Sequence, residues 1–96
     1  MGYNQKWYNV TSQRSPSINY TNTTGKPIAV SISYSDVYAF RVVVGGATII
    51  DTGMLANIPS LMGTVTFIVP VGDVYWVSTN LEVTSNGKIR AWAELR

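Results

Sequence analysis

The sequence predicts an all-β domain, an antiparallel β-sandwich of seven or eight short strands, with the jelly roll among the arrangements that count admits. Three observations lead there. Ile28, Val30, Ile32 and Tyr34 alternate with Ala29, Ser31, Ser33 and Ser35, the period of a half-buried strand with its bulky residues inside. Turn chemistry recurs along the chain at Gly25-Lys26-Pro27, Gly45-Gly46, Pro70-Val71-Gly72-Asp73 and Asn86-Gly87. No segment keeps a helical apolar period over about 11 residues.

Taken in order, residues 1–6 are polar and read as loose. Lys6 to Val10 is a short aromatic strand, Thr11 to Ser17 a turn, and Ile18 to Thr21 a second strand. Thr21 to Gly25 turns into the central strand, where Pro27 is tolerated at the start. Ser35 to Tyr38 reads as a loop. Phe40 to Val44 and Thr48 to Asp51 form a hairpin, because Gly45-Gly46 supplies the positive φ of a two-residue turn. Phe40, Val42 and Val44 share one face. Thr52 to Met62, with Gly53 and Pro59, is the longest irregular stretch. Thr64 to Val69 and Val74 to Thr79 are expected to pair as a second hairpin around Pro70 to Asp73. Leu81 to Thr84 is a further short strand, followed by the Asn86-Gly87 turn. In the last strand, Ile89, Ala91, Ala93 and Leu95 are expected to face in. Arg90, Trp92, Glu94 and Arg96 are expected to face out.

A chain of 96 residues is one domain, 1–96, with a modest core. Hydrophobic residues are 46% and charged residues 12%, about half the usual charged share. Part of the outer surface is therefore expected to meet protein rather than water, which points to a homo-oligomer. The net charge of +2 is spread along the chain, with only Lys88 and Arg90 close together, so a nucleic-acid stripe is not expected. No apolar run reaches the ~18–20 residues of a membrane span, and no apolar stretch near the N-terminus resembles a signal peptide. Neither membrane insertion nor a secretory route is expected.

The chain has no Cys and no His. Disulfides, thiolate metal sites and the commonest general base are excluded. Its acids are Asp36, Asp51, Asp73, Glu82 and Glu94. A glycosidase needs two carboxylates about 5–9.5 Å apart across a cleft. Asp51 and Asp73 sit at strand ends, where Asp more often serves a turn. No Ser occupies a nucleophile elbow, and no glycine loop opens a phosphate-binding helix. No enzymatic activity, cofactor or metal is expected. The sequons at Asn9, Asn19 and Asn22 read as turn residues. What remains is exposed aromatic surface. Trp92 alternates with charged residues, and one of Trp7 and Tyr8 and one of Tyr75 and Trp76 must face out. With Arg90 beside Trp92, these six are the candidates for an interface or a ligand contact.

Four stretches also carry a family resemblance: Trp7-Tyr8-Asn9-Val10-Thr11 with Arg14; Tyr20-Thr21-Asn22-Thr23-Thr24-Gly25-Lys26-Pro27-Ile28 and its continuation to Ile32; Val69 to Tyr75; and Trp92-Ala93-Glu94-Leu95-Arg96. In this order they resemble the small C-terminal domains of tailed-bacteriophage tail fibres and related prophage proteins. The resemblance runs the length of the chain and rests on turns and strands. It implies a trimeric β-structured tip, made in the bacterial cytoplasm and carried on the virion. Such a tip binds other virion proteins and helps attachment to a bacterial surface glycan or outer-membrane protein. No catalytic residue comes with it. Such domains usually end a much longer fibre. Two other classes stay open: a structural virion protein for capsid decoration or tail assembly without a host ligand, and a non-catalytic carbohydrate-binding module.

Overall fold

Two four-stranded antiparallel sheets face each other across one core in the computed structural model, which describes residues 4–37, 39–52, 61–78 and 88–96. The strands are β1 (Trp7–Asn9), β2 (Tyr20–Thr21), β3 (Ile28–Val37), β4 (Arg41–Val44), β5 (Ala47–Asp51), β6 (Leu61–Val69), β7 (Val74–Ser78) and β8 (Lys88–Leu95). The first sheet has the order β1-β8-β3-β6 and the second β2-β7-β4-β5. A 3₁₀ turn, Thr11–Gln13, follows β1. Among the described residues there is no α-helix.

The alternation at Ile28 to Tyr34 places β3 inside the first sheet, between β8 and β6. Ile28, Val30, Ile32 and Tyr34 are buried in one cluster with Phe40, just before β4, and with Val42, Val44, Tyr75 and Val77 of the second sheet. Tyr34 stacks on Phe40, with ring centroids 4.2 Å apart and planes 5° from parallel. It also lies over Gly63, where a Cβ would come within 3.1 Å of the Tyr34 hydroxyl. The β4–β5 hairpin forms as its sequence predicts: Gly45 and Gly46 have φ of 57° and 85°, values that a two-residue hairpin turn demands at both positions.

The chain changes sheet at each connection between successive strands except β4 to β5. This corrects the expected second hairpin. Pro70 to Asp73 does turn as its residues dictate, with Gly72 at φ 81° and the Asp73 N–H donating to the Pro70 carbonyl at 3.1 Å. Yet β6 pairs with β3, whereas β7 pairs with β2 and β4. The turn is an arch between sheets. Phe67 and Val69 on one side and Tyr75 and Val77 on the other are all buried, so each strand turns an apolar face to the other across the core.

Asn22 fastens this arch. Its Nδ2 donates to the carbonyls of Lys26, Val69 and Pro70 at 2.7, 3.0 and 3.2 Å. Its Oδ1 accepts from the Thr24 N–H and hydroxyl at 3.1 and 2.7 Å. The turn role read for this sequon holds, and Asn22 is buried besides.

Other boundaries move. β3 continues through Ser35 to Val37, where a loop was expected, with a register shift against β6 after Tyr34. Leu61 and Met62 belong to β6 rather than to the irregular stretch. Lys6 is held by paired backbone bonds with Arg96, at 3.0 and 3.3 Å, so the loose segment expected over 1–6 stops short of Lys6; residues 1–3 lie outside the described residues. The expected strand at Leu81 to Thr84, the Asn86-Gly87 turn, the end of β7 at Thr79, Tyr38 and residues 53–60 lie outside the described residues.

The largest correction is the phase of β8. Trp92 is 1% exposed and Glu94 2%. Ala91 is exposed, and Ala93 and Leu95 are half-buried. The cause is a bulge. Ser33 pairs with Ala91 and Tyr34 with Ile89, which leaves Arg90 without an opposite residue. Ile89 therefore faces in as expected, and beyond Arg90 the faces reverse. Apolar area alone does not choose the phase. Burying Trp92 is worth ~4–6 kcal/mol, whereas two alanines and Leu95 are worth ~3–5. The choice falls to Glu94, whose carboxylate finds its donors inside.

The faces of β8 can be tested by urea unfolding. Trp92→Ala is expected to destabilise the fold by about 3–5 kcal/mol. Ala91→Ser, on the outer face, is expected to stay within about 0.5 kcal/mol of wild type.

Candidate functional site

Glu94 anchors a polar node between the sheets. Arg14, from the connection before β2, clamps the carboxylate with both arms of its fork: Nε to Oε2 at 3.0 Å and Nη2 to Oε1 at 3.1 Å. Arg96 Nε approaches Oε1 at 3.4 Å. The Tyr75 hydroxyl, from the opposite sheet, donates to Oε2 and accepts from Trp92 Nε1 at 3.2 Å. Tyr20 completes the cluster. Its ring stands edge-on to Trp92 with centroids 6.0 Å apart, lies 4.6 Å beneath the Arg14 guanidinium carbon, and its hydroxyl accepts from the Ser15 N–H at 2.7 Å. A bidentate, charge-assisted pair of this kind offsets the desolvation that a lone buried carboxylate would suffer.

The node shifts two of its members. Burial, followed by donation to Glu94, pushes the Tyr75 phenol well above its ordinary value. For Arg14, burial opposes the charge, but the hydrogen bond and attraction to Glu94 outweigh it, and the pKa rises. Neither group is poised to exchange a proton near neutral pH. The arrangement holds the two sheets in register.

The six aromatic and basic candidates divide accordingly. Trp92 and Tyr75 are buried in the node, so neither presents the surface expected of Trp92. Trp76 is half-buried on the outer face of the second sheet, in register with Val43. Trp7 and Tyr8 are both exposed, at 52% and 46%. Arg96 covers the Tyr8 ring at 4.9 Å, so Trp7 is the freer platform. Arg90 sits at the bulge, with Nε donating to Ser35 Oγ at 2.6 Å. Asp51 pairs with Arg41 at 3.4 Å across the β4–β5 hairpin, while Asp73 lies at its other end, beside Gly45. The two carboxylates do not share a cleft.

Strand register brings together a surface that single residues did not reveal: the outer face of the first sheet. One row across it is Trp7, Leu95, Ala29 and Ile68; the next is Asn9, Ala93, Ser31 and Thr66; a third is Ala91, Ser33 and Thr64. None of these residues is charged. Their hydroxyls are partly paired within the face: Ser33 with Thr64 at 2.9 Å, and Thr66 donating to Ser31 at 3.4 Å. The outer face of the second sheet differs, because its register row Ser78, Arg41 and Asp51 carries an ion pair. The signal in the sequence was the run of small and hydroxyl residues at alternate positions of β3, β6 and β8. It becomes a surface only once the register is known.

Two consequences of the node are measurable. Arg14→Met removes the bidentate partner of a buried carboxylate and is expected to destabilise the fold by about 3–5 kcal/mol in urea unfolding. The folded state holds the Tyr75 proton more tightly than the unfolded chain does. That contribution to stability is complete below the ordinary phenol pKa of about 10 and is lost as pH rises beyond it. Melting temperature is thus expected to fall above about pH 10. In Tyr75→Phe the fall should be smaller, from a starting point lowered by about 1–3 kcal/mol through the lost hydroxyl.

No family model, curated protein or solved structure matches this chain.

Proposed function

We propose that this chain is a component of a bacteriophage or prophage virion, a tail-fibre or receptor-binding domain. It acts by binding the host surface and by assembling with copies of itself and with other virion proteins. The observation that carries this reading is the uncharged outer face of the first sheet. Among the described residues most charges lie at turns, at the strand ends, on the second sheet and around the inner node, and Arg90 stands at the bulge at one end of this face, bonded to Ser35; the rows from Trp7 to Thr64 are left for protein or ligand. Small residues at Ala91, Ala93, Ser31 and Ser33 let a neighbouring surface approach closely, with Trp7 at the rim as an aromatic anchor.

The family resemblance of the sequence supports the same reading and implies a trimer. The strand order supports it too. We read the fold as an eight-stranded jelly roll, in which β1-β8-β3-β6 and β2-β7-β4-β5 are the two sheets of a double Greek key. That architecture is frequent among viral shell and lectin domains.

The fluorescently labelled domain, titrated onto a panel of bacterial strains, is expected to bind some strains saturably. Trp7→Ala is expected to weaken that binding by about tenfold or more, while the fold, followed by circular dichroism, stays intact. Saturable binding to an array of purified glycans, together with absence from purified phage particles, would favour a carbohydrate-binding module. Presence in particles without any cell binding would favour a structural virion protein.

A further inference from the structure

Each sheet ends in strands with unpaired backbone groups, and folded proteins normally protect such edges by shortness, charge, proline or a bulge. Three edges here are protected in that way. β1 has three residues and β2 two. β5 is bulged, with Ile49 left out of the register between Val42/Ile50 and Val43/Thr48, and it ends in Asp51, paired with Arg41. The fourth edge is neither short, charged nor proline-bearing, and its one register shift, against β3 between Gly63 and Leu61, puts the extra residue on β3. β6 is nine residues long, Leu61–Val69, with no charge and no proline. Among the described residues it pairs on one side only, with β3.

We infer that two copies of this chain pair antiparallel along β6, about a twofold axis at Val65, joining their first sheets into one eight-stranded sheet. The strand is chemically complementary to itself in that register. Thr64 falls opposite Thr66 of the partner subunit. Met62, 73% exposed, falls opposite Ile68 of the partner subunit, where the corresponding side chain of the single copy is 43% exposed. The most exposed large apolar side chain among the described residues thereby covers, and is covered by, a second exposed one. In an antiparallel ladder, alternate opposed pairs exchange two bonds each, so nine residues give roughly eight to ten inter-chain hydrogen bonds. The uncharged outer face also becomes continuous across both copies. The occupant is a second copy because a free edge of this length is matched by an equal edge, and β1, β2 and β5 are too short or too irregular to offer one. The inference takes only self-association from the assembly reading above, and sets a twofold pair in place of the trimer that the resemblance implies.

Light scattering and sedimentation on the full chain, over about 1–200 µM, are expected to give twice the 10.5 kDa mass at the upper end. Thr64→Lys/Thr66→Lys sets lysine opposite lysine twice across the axis and is expected to weaken the dimer roughly tenfold. Thr64→Lys/Thr66→Glu sets lysine opposite glutamate in the same positions and is expected to restore it. Both exposed sites leave the core untouched, and thermal melts check the fold. Thr48→Lys on β5 is expected to leave the mass unchanged. A dimer indifferent to the lysine pair, or one the lysine–glutamate pair fails to rescue, overturns the β6 contact. A species of three times the chain mass overturns it too, and leaves assembly itself standing. A 10.5 kDa species at every concentration overturns both.

Discussion

A carboxylate in the space between two sheets constrains everything around it. Glu94 is 2% exposed, and without partners its charge would be untenable there. Arg14 reaches it from the connection between the sheets, Tyr75 from the second sheet, and Arg96 from the end of its own strand. The node therefore ties β8, β7 and the segment before β2 to one another. A one-residue slip of β8 would turn Glu94 outward and bring Leu95 or Ala93 in. The ionic partners thus act as a register pin, a role that apolar packing alone fills less sharply. Tyr75 and Trp92 add a chain of hydrogen bonds in which every donor has an acceptor, and among the described residues no buried side-chain polar atom is left without a partner.

Strong local signals in the sequence survive in the fold. The Ile28 to Tyr34 alternation and the Gly45-Gly46 turn each depend on neighbours in the chain, and both are legible for that reason. The Pro70 to Asp73 turn is half legible. Its residues fix the local backbone, but whether the flanking strands pair or part depends on β2, β3 and β4, which are far away in sequence. The phase of β8 was hidden by chemistry. Alanine is equally at home inside and outside, so Ala91 and Ala93 carried no preference, and charged neighbours made Trp92 look external. The deciding partner of Glu94, Arg14, lies 80 residues earlier. One of Trp7 and Tyr8 was expected outside, and both are exposed. The face beside Trp7 was not, because its members come from four strands.

The two sheets differ in what they show to the outside. The second presents an ion pair and a half-buried Trp76, while the first presents hydroxyls, alanines and a few apolar side chains. Serine and threonine on a flat sheet usually draw water, but here part of their capacity is spent on one another, Ser33 with Thr64 and Thr66 with Ser31. Such a face loses little when dried. Its residues are mostly small, so on the proposed reading it would offer a partner shape rather than charge, with specificity from fit and from the aromatic at its margin.

β8 lies in the interior of its sheet, yet it is the last strand in chain order. Before it docks, β1 has no partner in that sheet and β3 holds only β6. Asn9 must meet Ala93, and Arg14 must meet Glu94, contacts that close loops of nearly the whole chain. Loop closure on that scale comes before the contacts that reward it, which places this chain among domains that fold in milliseconds to seconds rather than microseconds. During that interval the long uncharged β6 and its apolar neighbours stand open to solvent. The edge proposed for assembly is thus also the one most at risk of mispairing while the chain folds.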